Sequence, residues 1–186
     1  ARKNLNLAPL CGFIQSKPQA LLIVEFFADT PEQVQTKAQS LAQDLQNKNL
    51  GYAWPVMTEP DQQSDVWALR KSGLGLMLGM KGDRKPLAFI EDACVPVQVL
   101  SEYIDQILKF CQARDVPVAM YAHASVGTIH VRPVLNLKDQ QDIDHMKAIA
   151  EYALSLIIKY HGSWSGEHGD GRVRSPFLER FFGSQI

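Results

Sequence analysis

No two cysteines in this chain are spaced to work together. Cys11, Cys94 and Cys111 are odd in number and none forms a C-x-x-C pair, so neither a disulfide framework nor a self-contained zinc or iron–sulfur motif is indicated. A reducing cytoplasm is the expected setting. Long apolar runs are missing as well: the longest, Ala20 to Val24, falls far short of the roughly 20 residues that span a bilayer, and no charged-then-apolar signal opens the chain. Neither sign of charge dominates. With 19 basic and 20 acidic residues and a net charge of −1, there is no broad electrostatic footprint for nucleic acid. The glycine-punctuated stretch from Gly73 to Gly82 lacks the spacing of either common phosphate loop and is expected to be a mobile loop near a site. There is no initiator methionine before Ala1, which suggests a piece of a longer polypeptide.

What is present suits a folded domain. At 186 residues and 46% hydrophobic, the chain can bury a real core, and residues 1–186 are expected to form one domain led in by an aperiodic segment, 1–19. Ala20–Phe27 is rich in β-branched and aromatic residues and predicts a buried strand. Thr30-Pro31 then opens a helix, with Gln33 at the capping-box position and Gly51 as its stop. Tyr52–Val56 predicts an edge strand, because Pro55 removes a ladder donor. Ser64–Lys71 predicts a short helix and Leu87–Glu91 a strand, and Val95-Pro96 introduces an amphipathic helix through Cys111. Val116–Tyr121 and Thr128–Val131 predict strands, Asp139–Tyr160 the longest helix, and Ser175-Pro176 a final short one. This order predicts an α+β fold, a mostly antiparallel sheet with helices on one face. It is ferredoxin-like in pattern, as one unit or as two side by side.

Two motifs carry chemistry. In Gly166-Glu167-His168-Gly169-Asp170-Gly171 a carboxylate and an imidazole stand between glycines, where a substrate or a flat cofactor can approach the backbone closely. Earlier, His123 and His130 are separated by six residues that include Gly127. Residues seven apart face opposite sides of a straight strand, so these imidazoles converge only if the chain bends or reverses at Gly127. If they do, two imidazoles and the Glu167 carboxylate suit a divalent metal with an open position, which leaves His168 free to move a proton. The alternative is that each histidine has an ordinary structural place in its own strand.

The segments Tyr121–Pro133 and Ser163–Gly171 together resemble the C-terminal, substrate-side domain of FAD-linked oxidases of the vanillyl-alcohol oxidase superfamily, which includes D-lactate, glycolate and D-2-hydroxyglutarate dehydrogenases. With Lys81-Gly82-Asp83-Arg84-Lys85-Pro86 and His130-Val131-Arg132-Pro133, the chain is most similar to large bacterial proteins that join an FAD domain to an iron–sulfur domain. The likeness is clear from about Trp67 to Gly183. It implies that His123, His130 and Glu167 hold zinc, manganese or a similar ion, and that His168 is the base. It also implies that a 2-hydroxy acid is oxidised with hydride transfer to a flavin, which passes near Gly169 and Gly171 and is bound mainly by a domain outside these residues. Arg70, in a Trp-x-x-Arg segment, is the first choice for the substrate carboxylate, with Arg132 and Lys85 as further candidates and Lys81 competing with Lys85. Any iron–sulfur cluster and the downstream electron acceptor would belong to the parent protein, in the cytoplasm, either free or peripheral to the inner membrane. Two departures bear on specificity: Ser125-Val126-Gly127-Thr128 replaces the family's Gly-Asp-Gly-Asn, and Arg132 stands where many relatives carry Asn. A stand-alone metal-dependent hydrolase and a non-catalytic interaction module are the competing readings.

Overall fold

Every residue of Thr128–Leu135 is buried, and this segment forms strand β4, with which each other strand pairs. The computed structural model describes Ala1 and residues 4–185. It divides into two compact units, Ala1–Leu76 and Met77–Ile186.

In the second unit, β3 (Val118–His123) lies antiparallel along one edge of β4, from Val118 opposite Pro133 to His123 opposite Thr128. Two short strands share the other edge. β1 (Lys85–Pro86) pairs with Leu135 and Val134, and β2 (Ala93–Cys94) pairs with Ile129 and Thr128. Between them residues 88–91 leave the ladder opposite the middle of β4, so the continuous strand expected at Leu87–Glu91 is instead an excursion flanked by two pairings. The excursion closes at Asp92, whose φ of +75° turns the chain back toward β4.

Alternation along β4 assigns its faces. Ile129 and Val131 enter the hydrophobic core, together with Tyr103, Ile107 and Cys111 of α3 (Leu100–Gln112) and Ile149, Ala153 and Ile157 of α4 (Gln140–Lys159). Thr128, His130 and Arg132 point to the opposite face. Helix α4 begins where the sequence predicts, with the Asp139 side chain accepting a hydrogen bond from the Gln141 N–H. After α4 the chain returns to the sheet in an antiparallel bridge between Ser163 and Cys94 of β2, and Trp164, 1% exposed, packs edge-to-face on Phe177, with ring centroids 5.5 Å apart. Short helices at Gly171–Arg174 (α5) and Leu178–Phe182 (α6) complete the unit. The fold is α+β with an antiparallel sheet, in agreement with the sequence reading.

The first unit departs further from expectation. Its helix α1, Pro31–Asn47, is capped by Thr30, whose hydroxyl accepts from the Gln33 N–H, while the Gln33 side chain accepts from the Asp29 N–H. Neither Ala20–Phe27 nor Tyr52–Val56 is a strand, and Leu22 and Phe27 are exposed. The apolar run has strand composition, but no described residue offers it a ladder. Helix α2, Pro60–Leu78, is longer than predicted and runs through Gly73 and Gly75, where a loop was expected. Glycine lowers helix propensity by only about 1 kcal/mol per residue. No helix among the described residues is long and apolar enough to cross a membrane.

Candidate metal centre

The β3–β4 hairpin solves the parity problem posed by the histidines. After His123 the chain makes a single 3-10 turn, Ala124–Val126, and reverses at Gly127, which adopts φ +74°. A β-carbon there would stand 1.9 Å from the Val95 carbonyl oxygen, so both the backbone angle and the space require glycine. The reversal sets Tyr121 opposite His130 and His123 opposite Thr128, so Tyr121, His123 and His130 share one face of the sheet. The Tyr121 and His130 rings lie 4.5 Å apart and the His123 and His130 rings 5.3 Å apart.

Glu167 reaches this face from the glycine loop. Its Oε1 lies 3.0 Å from His130 Nε2, 3.5 Å from His123 Nε2 and 3.4 Å from His168 Nε2, so three imidazole nitrogens surround one carboxylate oxygen. One donor atom from each of Asp92, His130, Glu167 and His168 also falls within 4.8 Å of the others, a spacing that could hold a metal ion. Asp92 in this group also anchors the loop, and His123 lies outside the group, next to its Glu167 member. His130 is almost wholly buried, whereas His123, Glu167 and His168 are partly exposed, so the cluster opens on one side. Burial holds the His130 imidazole below its ordinary pKa, against the opposing pull of Glu91 and Glu167, and this favours the neutral ring a metal requires.

Two acidic residues missed in the sequence organise the loop. Asp92 is 0% exposed. It accepts from the Ser165 hydroxyl at 2.5 Å, from the His168 N–H at 2.8 Å and from the Glu167 N–H at 3.0 Å. Burial opposes its ionisation, but the hydrogen bonds from Ser165, His168 and Glu167 outweigh burial and hold its carboxyl below the usual range. Its neighbour Glu91 faces His168 Nδ1 at 3.2 Å and forms an ion pair with Arg132. Buried Arg174 completes the support, donating to the Glu91 and Gly169 carbonyls with its guanidinium 3.8 Å from Asp92. The signal was available: Glu91-Asp92 interrupts an apolar stretch, and buried carboxylates need partners.

The remaining predicted site residues are placed as follows. Arg132 shares the His130 face, as its spacing required, but its guanidinium is engaged by Glu91. Lys85 is exposed, donates to the Met80 carbonyl and pairs opposite Leu135, at the far end of β4 from His130. Lys81 is exposed as well. Arg70 stands part-buried on α2 in the first unit. Gly169 and Gly171 both have positive φ, +78° and +56°, with open space where a β-carbon would be.

Comparison with known proteins gives one family match and a set of longer relatives. Residues 5–185 match the model of the FAD linked oxidases, C-terminal domain. The chain is 34% identical over 173 residues to a D-2-hydroxyglutarate dehydrogenase of Haemophilus influenzae and 32% identical over 171 residues to one of Escherichia coli. Each alignment covers 89% of this chain but only 17% of the relative. A mitochondrial D-lactate dehydrogenase [cytochrome] of Arabidopsis thaliana is 26% identical over 184 residues, covering 97% of this chain and 29% of the relative. The chain thus spans about a sixth of the length of the bacterial relatives.

Proposed function

The chain belongs to the family of FAD linked oxidase C-terminal domains, and from that premise we propose that it is the substrate- and metal-binding part of a larger FAD-dependent dehydrogenase. Its substrate would be a D-2-hydroxy acid of lactate or 2-hydroxyglutarate type, oxidised to the 2-oxo acid. The observation that carries this reading is the convergence of three imidazole nitrogens on one Glu167 oxygen. Relatives bearing D-2-hydroxyglutarate and D-lactate dehydrogenase names support the substrate class.

His123, His130 and Glu167 would hold a divalent ion, zinc or manganese. Two nitrogens and one carboxylate oxygen fit such an ion while leaving positions for substrate. His130, buried on β4 and paired opposite Tyr121 of β3, gives the set one rigid member. When bound, the ion would supply Lewis acidity at the substrate hydroxyl, and the flavin a hydride acceptor at the α-carbon. His168 takes the hydroxyl proton on Nε2, the ring nitrogen on the Glu167 side. Loss of that proton and of the α-hydrogen as hydride leaves the carbonyl of the 2-oxo acid.

For the substrate carboxylate the candidates remain those of the sequence: Arg70 in its Trp-x-x-Arg segment, with Arg132 and Lys85. Gly169 and Gly171 would let the flavin pass close to the loop. FAD itself, any iron–sulfur cluster and the electron acceptor are assigned to the rest of the parent protein.

Flavin bleaching in the full-length parent, reconstituted with zinc or manganese and offered D- and L-lactate, glycolate and D- and L-2-hydroxyglutarate, tests the proposal. Bleaching by one D-hydroxy acid, lost in His123→Ala, is the expected result. A parent whose flavin none of these acids reduces would overturn it.

A further inference from the structure

We infer that Glu91 is the positioning residue for His168: it fixes the neutral imidazole with its hydrogen on Nδ1 and turns the Nε2 lone pair into the site. The inference rests on the reading of His168 as the proton acceptor. Glu91 Oε1 lies 3.2 Å from His168 Nδ1, and an ionised carboxylate only accepts, so that ring nitrogen must carry the hydrogen. The other Glu91 oxygen is taken by the Arg132 guanidinium. One carboxylate thus serves two partners, one per oxygen, and the arginine decides which oxygen is left for the imidazole.

The backbone beneath this contact is fixed too. Arg174 donates to the Glu91 carbonyl, and the next residue, Asp92, receives the main-chain N–H of His168 itself. The dipeptide Glu91-Asp92 therefore grips His168 twice, at its ring and at its backbone.

A competitor stands on the opposite side of the ring. Glu167 Oε1 lies 3.4 Å from His168 Nε2 and is also an acceptor, and a neutral ring has one hydrogen to give. Three observations favour Glu91. Its contact is the shorter. The Glu167 oxygen has a nearer partner in His130 Nε2, at 3.0 Å. The Glu91 side chain is 12% exposed and tethered by a guanidinium, against 45% exposure for Glu167. The carboxylate that cannot turn away dictates the tautomer.

The test has two arms. Imidazole proton–nitrogen correlation spectra of the isotope-labelled, metal-free chain, recorded where the ring is neutral, should show His168 with its hydrogen on Nδ1. In Glu91→Gln, Arg132 keeps the carboxamide oxygen and the amide NH₂ faces the ring, so the hydrogen should move to Nε2. In the metal-loaded, full-length parent the same substitution should lower kcat about 10²- to 10⁴-fold, the scale of a misplaced imidazole proton, with KM and metal content unchanged. A wild-type His168 protonated on Nε2, or a Glu91→Gln variant with wild-type tautomer and kcat, would overturn the inference. The wild-type spectrum needs no variant to fold. A parent that oxidised none of the acids would instead defeat the enzymatic reading, and the spectra, which require no turnover, would still decide the role of Glu91.

Discussion

Replacing Asp92 by asparagine should loosen the loop that carries Glu167 and His168 while changing almost no volume. Asp92 is fully buried, and its two oxygens receive the Ser165 hydroxyl and the main-chain N–H groups of Glu167 and His168. A hydroxyl can reverse its direction, but a main-chain N–H cannot. Whichever way the new amide turns, its NH₂ meets one of the two N–H groups, donor against donor. One charge-assisted hydrogen bond is lost, at about 1.5–3 kcal/mol, and the N–H that faces the new NH₂ costs up to about 1–3 kcal/mol more, less for Glu167, whose N–H also reaches the other oxygen at 3.2 Å. Arg174, 3.8 Å away, also loses its counter-charge. The combined loss should be about 3–5 kcal/mol, the range found when one member of a buried pair is removed. With a urea m-value near 2 kcal/mol/M, the unfolding midpoint should fall by about 1.5–2.5 M, read by far-ultraviolet circular dichroism. Asp83→Asn is the control. Its ion pair with Lys138 is solvent-exposed on both sides, and breaking it should change stability by less than about 0.5 kcal/mol. A shift in Asp92→Asn no larger than the control's would refute the account of how the loop is held.

Gly127→Ala should destabilise the hairpin by about 3 kcal/mol or more, because a β-carbon would meet the Val95 carbonyl oxygen on a backbone already at positive φ, and denaturant titration would measure it. Zinc at 100 times its Kd should stabilise the wild-type chain by about 2.7 kcal/mol, and calorimetry should show that gain lost in His130→Ala but kept in His145→Ala. The Arg84 hydrogen bond holds the Asp142 carboxyl below its ordinary value. Between that folded value and the unfolded one, near about 3.9, the unfolded chain binds more protons, so stability is complete above the unfolded value and drains away as pH falls through the folded one. Arg84→Met should flatten this acid limb in pH-dependent unfolding curves, and an unchanged limb would disprove the assignment.

Local features were legible where one residue type had one physical use. Gly127 announced a reversal, and the reversal brought His123 and His130 to one face. Asp139 and Thr30 announced helix starts because short polar side chains cap free N–H groups. Pairing was harder to read. Ala20–Phe27 has strand composition, but a strand exists only with a partner, and composition does not report one. The excursion at residues 88–91 was hidden for a similar reason: it depends on Asp92 turning at positive φ, and that turn depends on loop donors more than seventy residues later in the chain. Arg132 shows the limit of face assignment. Its spacing from His130 placed it on the correct side of β4, but only the fold reveals that Glu91 already occupies it.

Strand β4 is buried, bonded to β3 along one edge and carries His130, whereas Glu167 and His168 ride on a loop held mainly by Asp92. The two halves of the cluster should therefore live on different clocks. Amides of β4 should exchange with deuterium only when the whole unit opens, and those of the glycine loop through smaller, more frequent excursions. A ligand that bridges His130 and Glu167 would tie the fast element to the slow one, so protection gained in the loop would report occupancy of the centre even where no colour or turnover does.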